Sequence, residues 1–425
     1  MFLARGVPLA VCEEQEVPFD LIAWKNAFRC LLACEQNSPS DRSGTSDFYI
    51  GGEFLIRVLH VISDTNIGGA GVHLCNLLSC IDRSLFDVSV CLPKNSLLAP
   101  RIRALGVPVI ETAHGADRSA DLYAIPELMG ILRRQKPHIL HTHSALYARL
   151  AGLFCRVPIS ISTRHCADIK VHPTLLQQLA VRELEQLIGG HTIATANYVK
   201  DVIISSGVPK KKIHVIHNGS RPLPYLSDGD KEKLRRKWGL SPDEFTVGIV
   251  ARLEKGKGHD TFLRAASLCL SKNPNIRFFV VGDGSLDAHL RSLACQLGLG
   301  DRVLFTGFQA DIAPIMNILH LNVNCSERSE TSSLSLSEGM SVGTVPIVSR
   351  CGGNPYMAGF GENGAVFPIG DATALANIIL SLERNRDHLS LLSQACQSRF
   401  QKDFTAEKMT KQVQTLYQKI ANNKF

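Results

Sequence analysis

The sequence predicts an α/β protein made of two doubly wound halves that face each other across a cleft. Short apolar runs rich in β-branched residues recur along the 425-residue chain, and helical segments separate most of them. This alternation is typical of parallel sheets covered on both faces. The runs form two series, divided by a segment rich in proline, glycine and charge at 220–244. The chain is also longer than one hydrophobic core usually supports.

The first series starts with IRVLHVI (56–62) and ends with IHVIHN (213–218), and the second runs from FTVGIVA (245–251) to TVPIVS (344–349). We therefore expect one domain over 55–222 and another over 223–404. A final helix at 405–422 has one apolar face and a capping hydroxyl at Thr405. Residues 1–54 lack a sustained period and contain the turn-rich stretch NSPSDRSGTSD (37–47). We expect this extension to be disordered.

Composition restricts the function without defining it. No stretch approaches eighteen consecutive apolar residues, so nothing is expected to span a bilayer. The net charge of +7 permits an anionic ligand or an anionic membrane surface, and we expect no nucleic-acid partner. Thirteen cysteines without a CxxC pair favour buried reduced thiols in a cytoplasmic protein. The apolar run at the N-terminus is too short for a signal peptide.

The loop after the first strand, SDTNIGGAGVH (63–73), could approach an anion closely. Gly68 and Gly69 allow close backbone contact, and the following helix offers free N–H groups. The loop does not fit GxGxxG, so a dinucleotide fingerprint is not supported. The alternative is a plain tight turn between a strand and a helix.

The corresponding loop of the second half, ARLEKGKGHD (251–260), places Arg252 and Lys257 before a helix. Fixed cations here would stabilise a diphosphate whose negative charge grows as it leaves. The alternative is a basic surface loop, and the P-loop pattern GxxxxGK[ST] is absent.

Two glutamates flank the stretch ETSSLSLSEG (330–339). We expect a helix to begin near Ser332 or Ser333, where a hydroxyl can cap it. Glu338 then lies one turn after Leu334 on the same face, and Glu330 lies in the preceding loop. Both carboxylates would face the cleft, with free N–H groups of the helix between them. The alternative is two exposed acids on a serine-rich surface.

Histidines end two strands of the first half, in HTH (141–143) and at His165 in STRHCAD. His141 and His143 share one face of their strand, so a metal is possible, but no suitably spaced acid or thiolate supports one. We expect no metal. No convincing DxD motif is present, and DGD (228–230) is interpreted as a turn in the linker.

In this order the motifs resemble the retaining glycosyltransferases of family 4, which have the GT-B fold of two Rossmann-like domains. The segments that carry the resemblance lie within residues 56–420. They are GGAGVH, HTH, TRH, KIHVIHNG, ARLEKGKGHD, VVGDG, VLFTGF, ETSSLSLSEG, VPIVSRCGGNP and GENGAVFPIGD.

The resemblance implies roles for the matching residues. Glu330 would contact the donor sugar near its reacting carbon, and Glu338 would bind the nucleotide ribose. Arg252 and Lys257 would bind the diphosphate, and the last helix would pack back on the first domain. The remaining implied site residues are His165, beside the sugar and the acceptor, and Gly68, Gly69, Ser333 and Leu334 at the donor. Thr331-Ser332-Ser333 departs from the glycine, apolar residue and proline that many relatives have there.

We therefore expect a metal-independent, retaining transferase that needs no cofactor and takes a nucleotide sugar, a UDP-sugar favoured, as its donor. The resemblance suggests a saccharide or lipid-linked acceptor, in surface polysaccharide or glycolipid synthesis. The protein would be cytoplasmic, with possible peripheral contact at the inner membrane face. Two alternatives stay open: a nucleotide-sugar epimerase or phosphorylase on the same fold, and a non-catalytic nucleotide-sugar-binding protein.

Overall fold

The computed structural model of the chain describes residues 49–50, 53–143, 145–165, 175–188, 190–328 and 330–425. Most of the expected N-terminal extension lies outside the described residues, including the stretch 37–47. Residues Ile50–Phe425 form one compact unit that contains two sheets. Two short strands, Tyr49–Ile50 and Glu53–Phe54, precede them.

The first sheet has seven described strands, and every neighbouring pair is parallel. The strands are β1 (Ile56–Ile62), β2 (Phe86–Pro93), β3 (Val109–Thr112), β4 (Ile139–His143), β5 (Ile159–Arg164), β6 (His191–Ala194) and β7 (Ile213–Val215). Their order across the sheet is β3-β2-β1-β4-β5-β6-β7. The chain therefore winds outwards in one direction from β1 and in the other from β4.

The second sheet repeats this topology with six described strands, all parallel. The strands are β8 (Phe245–Val250), β9 (Ile276–Val281), β10 (Val303–Gly307), β11 (Leu321–Asn324), β12 (Val345–Ser349) and β13 (Ala365–Phe367). Their order is β10-β9-β8-β11-β12-β13. Strand β13 was not predicted from the sequence, because its three residues lie in the glycine-rich stretch GENGAVFPIGD and not in a longer apolar run.

Helices connect the strands and cover both sheets. In the first half they are α1 (Gly69–Cys80), α2 (Leu98–Ala104), α3 (Ala124–Gln135), α4 (Leu146–Phe154), α5 (Leu175–Ile188) and α6 (Asn197–Ser205). The others are α7 (Asp228–Lys237), α8 (His259–Leu270), α9 (Asp287–Gln296), α10 (Ala313–Met316), α11 (Leu334–Ser341), α12 (Asn354–Met357), α13 (Ala372–Arg384), α14 (Arg386–Asp403) and α15 (Ala406–Asn422). The described residues also include three short 3₁₀ helices: Lys210–Lys212, Gly300–Arg302 and Gly359–Gly361.

One helix boundary corrects the sequence interpretation. The DGD stretch is not a turn but the first turn of α7, capped by Ser227, whose side chain accepts a hydrogen bond from Asp230 N. Acidic residues are favourable at a helix N-terminus, so the cap and the charges explain the helix. No helix among the described residues is long and apolar enough to cross a membrane.

The last helix packs on the first sheet, although it follows the second half in the chain. Met409, Val413, Leu416 and Tyr417 belong to the same buried cluster as residues of β1, β2 and α1. Thr405 caps the helix by accepting from Lys408 N at 3.2 Å, as predicted. Burial of this apolar face joins the C-terminus of the chain to the first half.

Candidate active site

Both sheets place the candidate residues where the strand order reverses. In the second sheet this point lies between β8 and β11, and Lys257 and Glu330 follow those two strands. In the first sheet it lies between β1 and β4; Gly68 follows β1, and His165 follows the neighbouring β5. Ligands of doubly wound sheets bind beyond the carboxyl ends of the strands at such points. The topology alone therefore brings these loops to the ligand-binding edges.

Glu330 is the centre of a buried polar network. The residue is only 9% exposed, and Lys257 Nζ lies 2.9 Å from its Oε2. The same oxygen accepts a hydrogen bond from Ser326 Oγ at 2.7 Å, and Asn324 Nδ2 lies 3.5 Å away. The ion pair and the hydroxyl compensate the loss of hydration of the carboxylate. Glu330 is thus a held, oriented carboxylate and not a mobile surface acid.

The glycine pair of GGNP is required by the backbone at Glu330. Gly352 has φ of +52°, and a Cβ there would lie 2.0 Å from the Glu330 carbonyl oxygen. A Cβ on Gly353 would lie 1.9 Å from the Thr331 carbonyl oxygen. Gly353 N also donates to Glu330 O at 2.9 Å. Any side chain at either position would displace the segment that carries the glutamate.

Helix α11 starts at Leu334, and Ser333 caps it by accepting a hydrogen bond from Leu336 N, as predicted. Glu338 lies one turn later. Burial raises the pKa of its carboxyl from 4.5 to about 7. A carboxylate in such surroundings gains by accepting hydrogen bonds from a ligand. The two acids therefore differ: Glu330 has a lysine partner, and Glu338 has an unfavourable desolvated charge.

Arg252 and the loop after β1 carry opposite charges. Arg252 is exposed. Burial and the neighbouring Asp117 raise the pKa of Asp64 above its usual range, and the positive charge of Arg252 partly offsets this rise. Arg252 therefore lies close enough to the first half to interact with it electrostatically. A Cβ on Gly68 would lie 3.8 Å from Asp64 Oδ2, and one on Gly69 would meet nothing within 4 Å. The start of α1 is therefore open at Gly69, where backbone N–H groups are available to an anion.

His165 touches the second half through its backbone. Its carbonyl oxygen accepts a hydrogen bond from Thr331 Oγ1 at 3.0 Å, so it lies next to the segment that carries Glu330. The residue is partly exposed, but its ring nitrogen Nδ1 is buried, and its Nε2 lies 3.1 Å from His143 Nδ1. Burial holds the pKa of His165 well below its usual range, which keeps the imidazole neutral.

Two hydroxyls between the glutamates contact the first half and its connection to the second. Besides Thr331, Ser337 Oγ lies 2.8 Å from Ser220 Oγ. The backbone carbonyl of Ser332 also accepts a hydrogen bond from Asn218 Nδ2 at 3.3 Å. The sequence offered no reason for the hydroxyls of Thr331 and Ser337, because their partners lie more than a hundred residues away.

The histidines form a larger cluster than the sequence indicated. His60, His141 and His143 present ring nitrogens within 4.8 Å of one another, and so do His73, His143 and His165. Neither triad includes a carboxylate or a thiolate. His143 lies within hydrogen-bond distance of His60 and of His165, whereas neither ring nitrogen of His73 has a partner among the described residues. Three imidazoles can ligate zinc, so the expectation of no metal stays a prediction.

Sequence reasoning missed Asn324, Ser326, Asn354, His60 and His73. Asn354 is fully buried, and its Nδ2 lies 3.1 Å from Asn324 Oδ1, which completes the network around Glu330. Asn324 in NVNC and Asn354 in GGNP were the available signals, because the first interrupts an apolar stretch and the second a glycine-rich one. The nine described cysteines are all free, as expected for reduced thiols.

Family models cover most of the chain. The model described as Glycosyltransferase Family 4 matches residues 67–221. The model described as Glycosyl transferases group 1 matches residues 230–399. The first match begins after β1 and includes the other strands of the first sheet, and the second match contains the whole second sheet. The N-terminal extension, β1 and the last helix lie outside both matches.

Curated relatives and a solved structure agree with these matches. The chain is 27% identical to the UDP-Gal:alpha-D-GlcNAc-diphosphoundecaprenol alpha-1,3-galactosyltransferase of Escherichia coli, over 87% of this chain and 98% of that protein. It is 24% identical to the N-acetyl-alpha-D-glucosaminyl L-malate synthase of Bacillus anthracis, over 70% of this chain and 78% of that protein. The crystal structure of Anabaena HepE in complex with UDP-glucose superimposes with a TM-score of 0.75 at 22% identity, covering 85% of this chain and 100% of that one.

Proposed function

Because the chain belongs to the family 4, group 1 glycosyltransferases of the GT-B fold, we propose that it is a retaining, metal-independent transferase that uses a UDP-sugar. One observation carries this proposal. The Lys257–Glu330 pair, 2.9 Å apart, lies at the switch point of the second sheet, and Thr331 joins it to the His165 loop of the first half. A cation for a diphosphate and an oriented carboxylate for a sugar thus occur side by side.

The proposed roles follow from the surroundings of each residue. Lys257 and the exposed Arg252 would neutralise the diphosphate. Glu330 would accept hydrogen bonds from hydroxyls of the donor sugar, and Glu338 from those of the ribose. The starts of two helices, at Gly68 and Gly69 and at Ser333 and Leu334, would direct free N–H groups towards the donor. His165 would lie beside the sugar and the acceptor.

In the proposed reaction, the bond between the anomeric carbon and the diphosphate oxygen breaks, and a bond from that carbon to the acceptor oxygen forms on the same face. The acceptor hydroxyl loses its proton to the departing diphosphate. Negative charge therefore grows on the diphosphate as its bond breaks. Fixed cations that are already in place stabilise this charge without reorganising. Arg252 and Lys257 occupy the loop from which they could do so.

We propose a lipid-linked saccharide as the acceptor, in the synthesis of a surface polysaccharide or glycolipid. The Escherichia coli relative is named for an acceptor linked to diphosphoundecaprenol. The net charge of +7 suits peripheral contact with an anionic inner membrane face.

The test begins with calorimetry of UDP, GDP and ADP, followed by transfer from radiolabelled UDP-sugars to lipid-linked and soluble saccharides. We expect UDP to bind, and the Arg252→Ala plus Lys257→Ala variant to lose about 2–4 kcal/mol of transition-state stabilisation. The controls are the exposed Lys255→Ala and Arg350→Ala. Undiminished transfer by the double variant refutes the proposal.

Product analysis separates the alternatives. Conversion of the donor sugar without an acceptor indicates an epimerase, and release of the sugar to inorganic phosphate indicates a phosphorylase. Binding without turnover over the acceptor panel indicates a non-catalytic protein. The anomeric configuration of the product, read by NMR, tests retention. Transfer measured after chelation of divalent ions tests metal independence, and we expect the activity to be unchanged.

A further inference from the structure

The two carboxylate oxygens of Glu330 have different surroundings. Oε2 lies 2.7 Å from Ser326 Oγ and 2.9 Å from Lys257 Nζ. A carboxylate oxygen has two lone pairs, so these two donors occupy Oε2. Oε1 has no hydrogen-bond partner among the described residues, and it is not one of their buried unpaired polar atoms. Because the side chain keeps 11% exposure, Oε1 is the oxygen that is open to a ligand.

Lys257 can hold Glu330 and bind a diphosphate at the same time. An ammonium group has three N–H donors. Within the described part of the chain, Nζ of Lys257 makes one hydrogen bond, to Glu330 Oε2, and the side chain is 31% exposed. Two N–H groups are therefore available to phosphate oxygens, and Oε2 can stay occupied when the donor binds.

The hydroxyl of Ser326 is held in place through its own backbone. Ser326 N donates to Asn324 Oδ1 at 3.0 Å, and Ser326 O accepts from Ser349 Oγ at 2.5 Å. Asn324 and Ser349 are the last residues of β11 and β12, which are neighbours in the sheet. The ends of two strands thus fix the serine that occupies Oε2 of the glutamate.

The side-chain amide of Asn354 connects these two strand ends. Its Nδ2 lies 3.1 Å from Asn324 Oδ1 and 3.3 Å from Ser349 Oγ. Its orientation is determined, because the backbone N–H of Ser326 can only donate and therefore requires the oxygen of Asn324. The group of Asn354 that faces the same oxygen must then be its NH₂.

Packing alone does not explain an asparagine at position 354. The residue is completely buried, and its Oδ1 has no hydrogen-bond partner among the described residues. A buried carbonyl without a partner is unfavourable, so an apolar side chain would serve stability better. The asparagine is explained by what its NH₂ group holds.

We propose that Asn354 is a positioning residue that holds Ser326 through the two strand ends and so keeps Glu330 Oε1 directed at a hydroxyl of the donor sugar. The proposal rests on the proposed function for the identity of this ligand. Asn354 makes no contact with the substrate in this scheme. It acts only through the serine and the glutamate.

A double-mutant cycle on kcat tests this coupling. We expect Asn354→Ala to lower kcat about ten- to hundredfold, as small misplacements of catalytic groups do. Calorimetry should show the affinity for UDP changed less than about twofold, because Glu330 meets the sugar and not the nucleotide. In a Glu330→Gln background the same substitution should lower kcat less than about threefold. A loss as large in that background as in the unchanged protein overturns the proposal, because Asn354 would then act independently of the glutamate.

A matched control exists in the same half. Asn363 is also buried, its Nδ2 donates to Met357 O at 3.0 Å, and its Oδ1 likewise has no partner within the described part of the chain. Asn363→Ala should leave kcat within about twofold of that of the unchanged protein. An equal loss of kcat in Asn363→Ala and Asn354→Ala overturns the proposal. If Asn354→Ala does not fold, Ser349→Ala replaces it in the cycle, because it removes the other anchor of the same serine.

The same cycle can be measured without turnover, as the affinity for UDP-galactose and UDP-glucose relative to that for UDP. We expect Asn354→Ala to lower this ratio about two- to tenfold in the unchanged protein but not in the Glu330→Gln background. Failure of the unchanged protein to bind UDP and to transfer sugar refutes the proposed function, and this inference with it. Normal binding and transfer with independent effects of the two substitutions refute the inference alone.

Discussion

The buried acid Glu338 makes the protein less stable at neutral and alkaline pH than it would be with an uncharged residue. Burial raises the pKa of its carboxyl from 4.5 to about 7. The pKa of Glu338 is higher in the folded protein than in the unfolded one. The contribution of Glu338 to folding stability is therefore fully present below about pH 4.5 and is lost as the pH rises through about 7. Glu338→Gln keeps the shape and removes the titration.

The pKa sets the size of the effect. A change from 4.5 to about 7, at about 1.36 kcal/mol per pH unit, gives a ceiling of about 3.4 kcal/mol above pH 7. Glu338 retains some exposure, and water that reaches the carboxylate reduces the effect. We therefore expect the glutamine variant to be about 1–2 kcal/mol more stable at pH 8. The gain should disappear below about pH 4.5, where both side chains are neutral.

Urea denaturation between pH 4 and pH 8.5 measures this difference, with the exposed Glu362→Gln as the control. In the proposed function Glu338 binds ribose hydroxyls, so the stabilised variant should also bind UDP about ten- to hundredfold more weakly, because a hydrogen bond to a charged group contributes about 1.5–3 kcal/mol. Parallel stability curves for Glu338→Gln and the unchanged protein would refute the reasoning about burial. Unchanged UDP affinity would refute the ribose role alone.

Three further variants test other contacts. Glu330→Gln removes the charge that pairs with Lys257; transfer should fall about 10²–10³-fold, while calorimetry should show UDP affinity undiminished, and retained transfer contradicts the role of the acid. Ser337→Ala removes a buried hydroxyl contact and should cost about 0.5–1.5 kcal/mol in urea unfolding; an unchanged midpoint contradicts this. Tyr417→Phe leaves a buried nitrogen of His141 without its partner and should cost about 1–3 kcal/mol; a stability equal to that of the unchanged protein contradicts this.

Most of the fold could be predicted from the sequence because its strands are buried on both faces. IRVLHVI and FTVGIVA are nearly continuous apolar runs, and the structure places strands at Ile56–Ile62 and Phe245–Val250. Short elements escaped prediction. Strand β13 has three residues, and the first turn of α7 was interpreted as a turn because its acidic residues and glycine also suit turns.

The candidate site was predictable only in part. The motifs named Glu330, Glu338, Arg252 and Lys257 as candidates, and the strand order brings Lys257 and Glu330 together. The partners of these residues were not predictable, because they depend on register and on contacts between distant segments. His60 and His143 are separated by 83 residues in sequence and meet only because β1 and β4 are neighbours in the sheet.

The segment from Glu330 to Gly339 carries both the two acids and the hydroxyls that contact the first half. Its local sequence pattern does not separate these two roles. Its two acids lie at the start and near the end, where the proposed function places the sugar and the ribose. Between them, Thr331 and Ser337 bond the His165 carbonyl and the Ser220 hydroxyl. The second half is therefore fixed to the first through the residues that separate the acids. Thr331 and Ser337 thus align the two halves, while the two glutamates are the donor-binding residues of the proposed function.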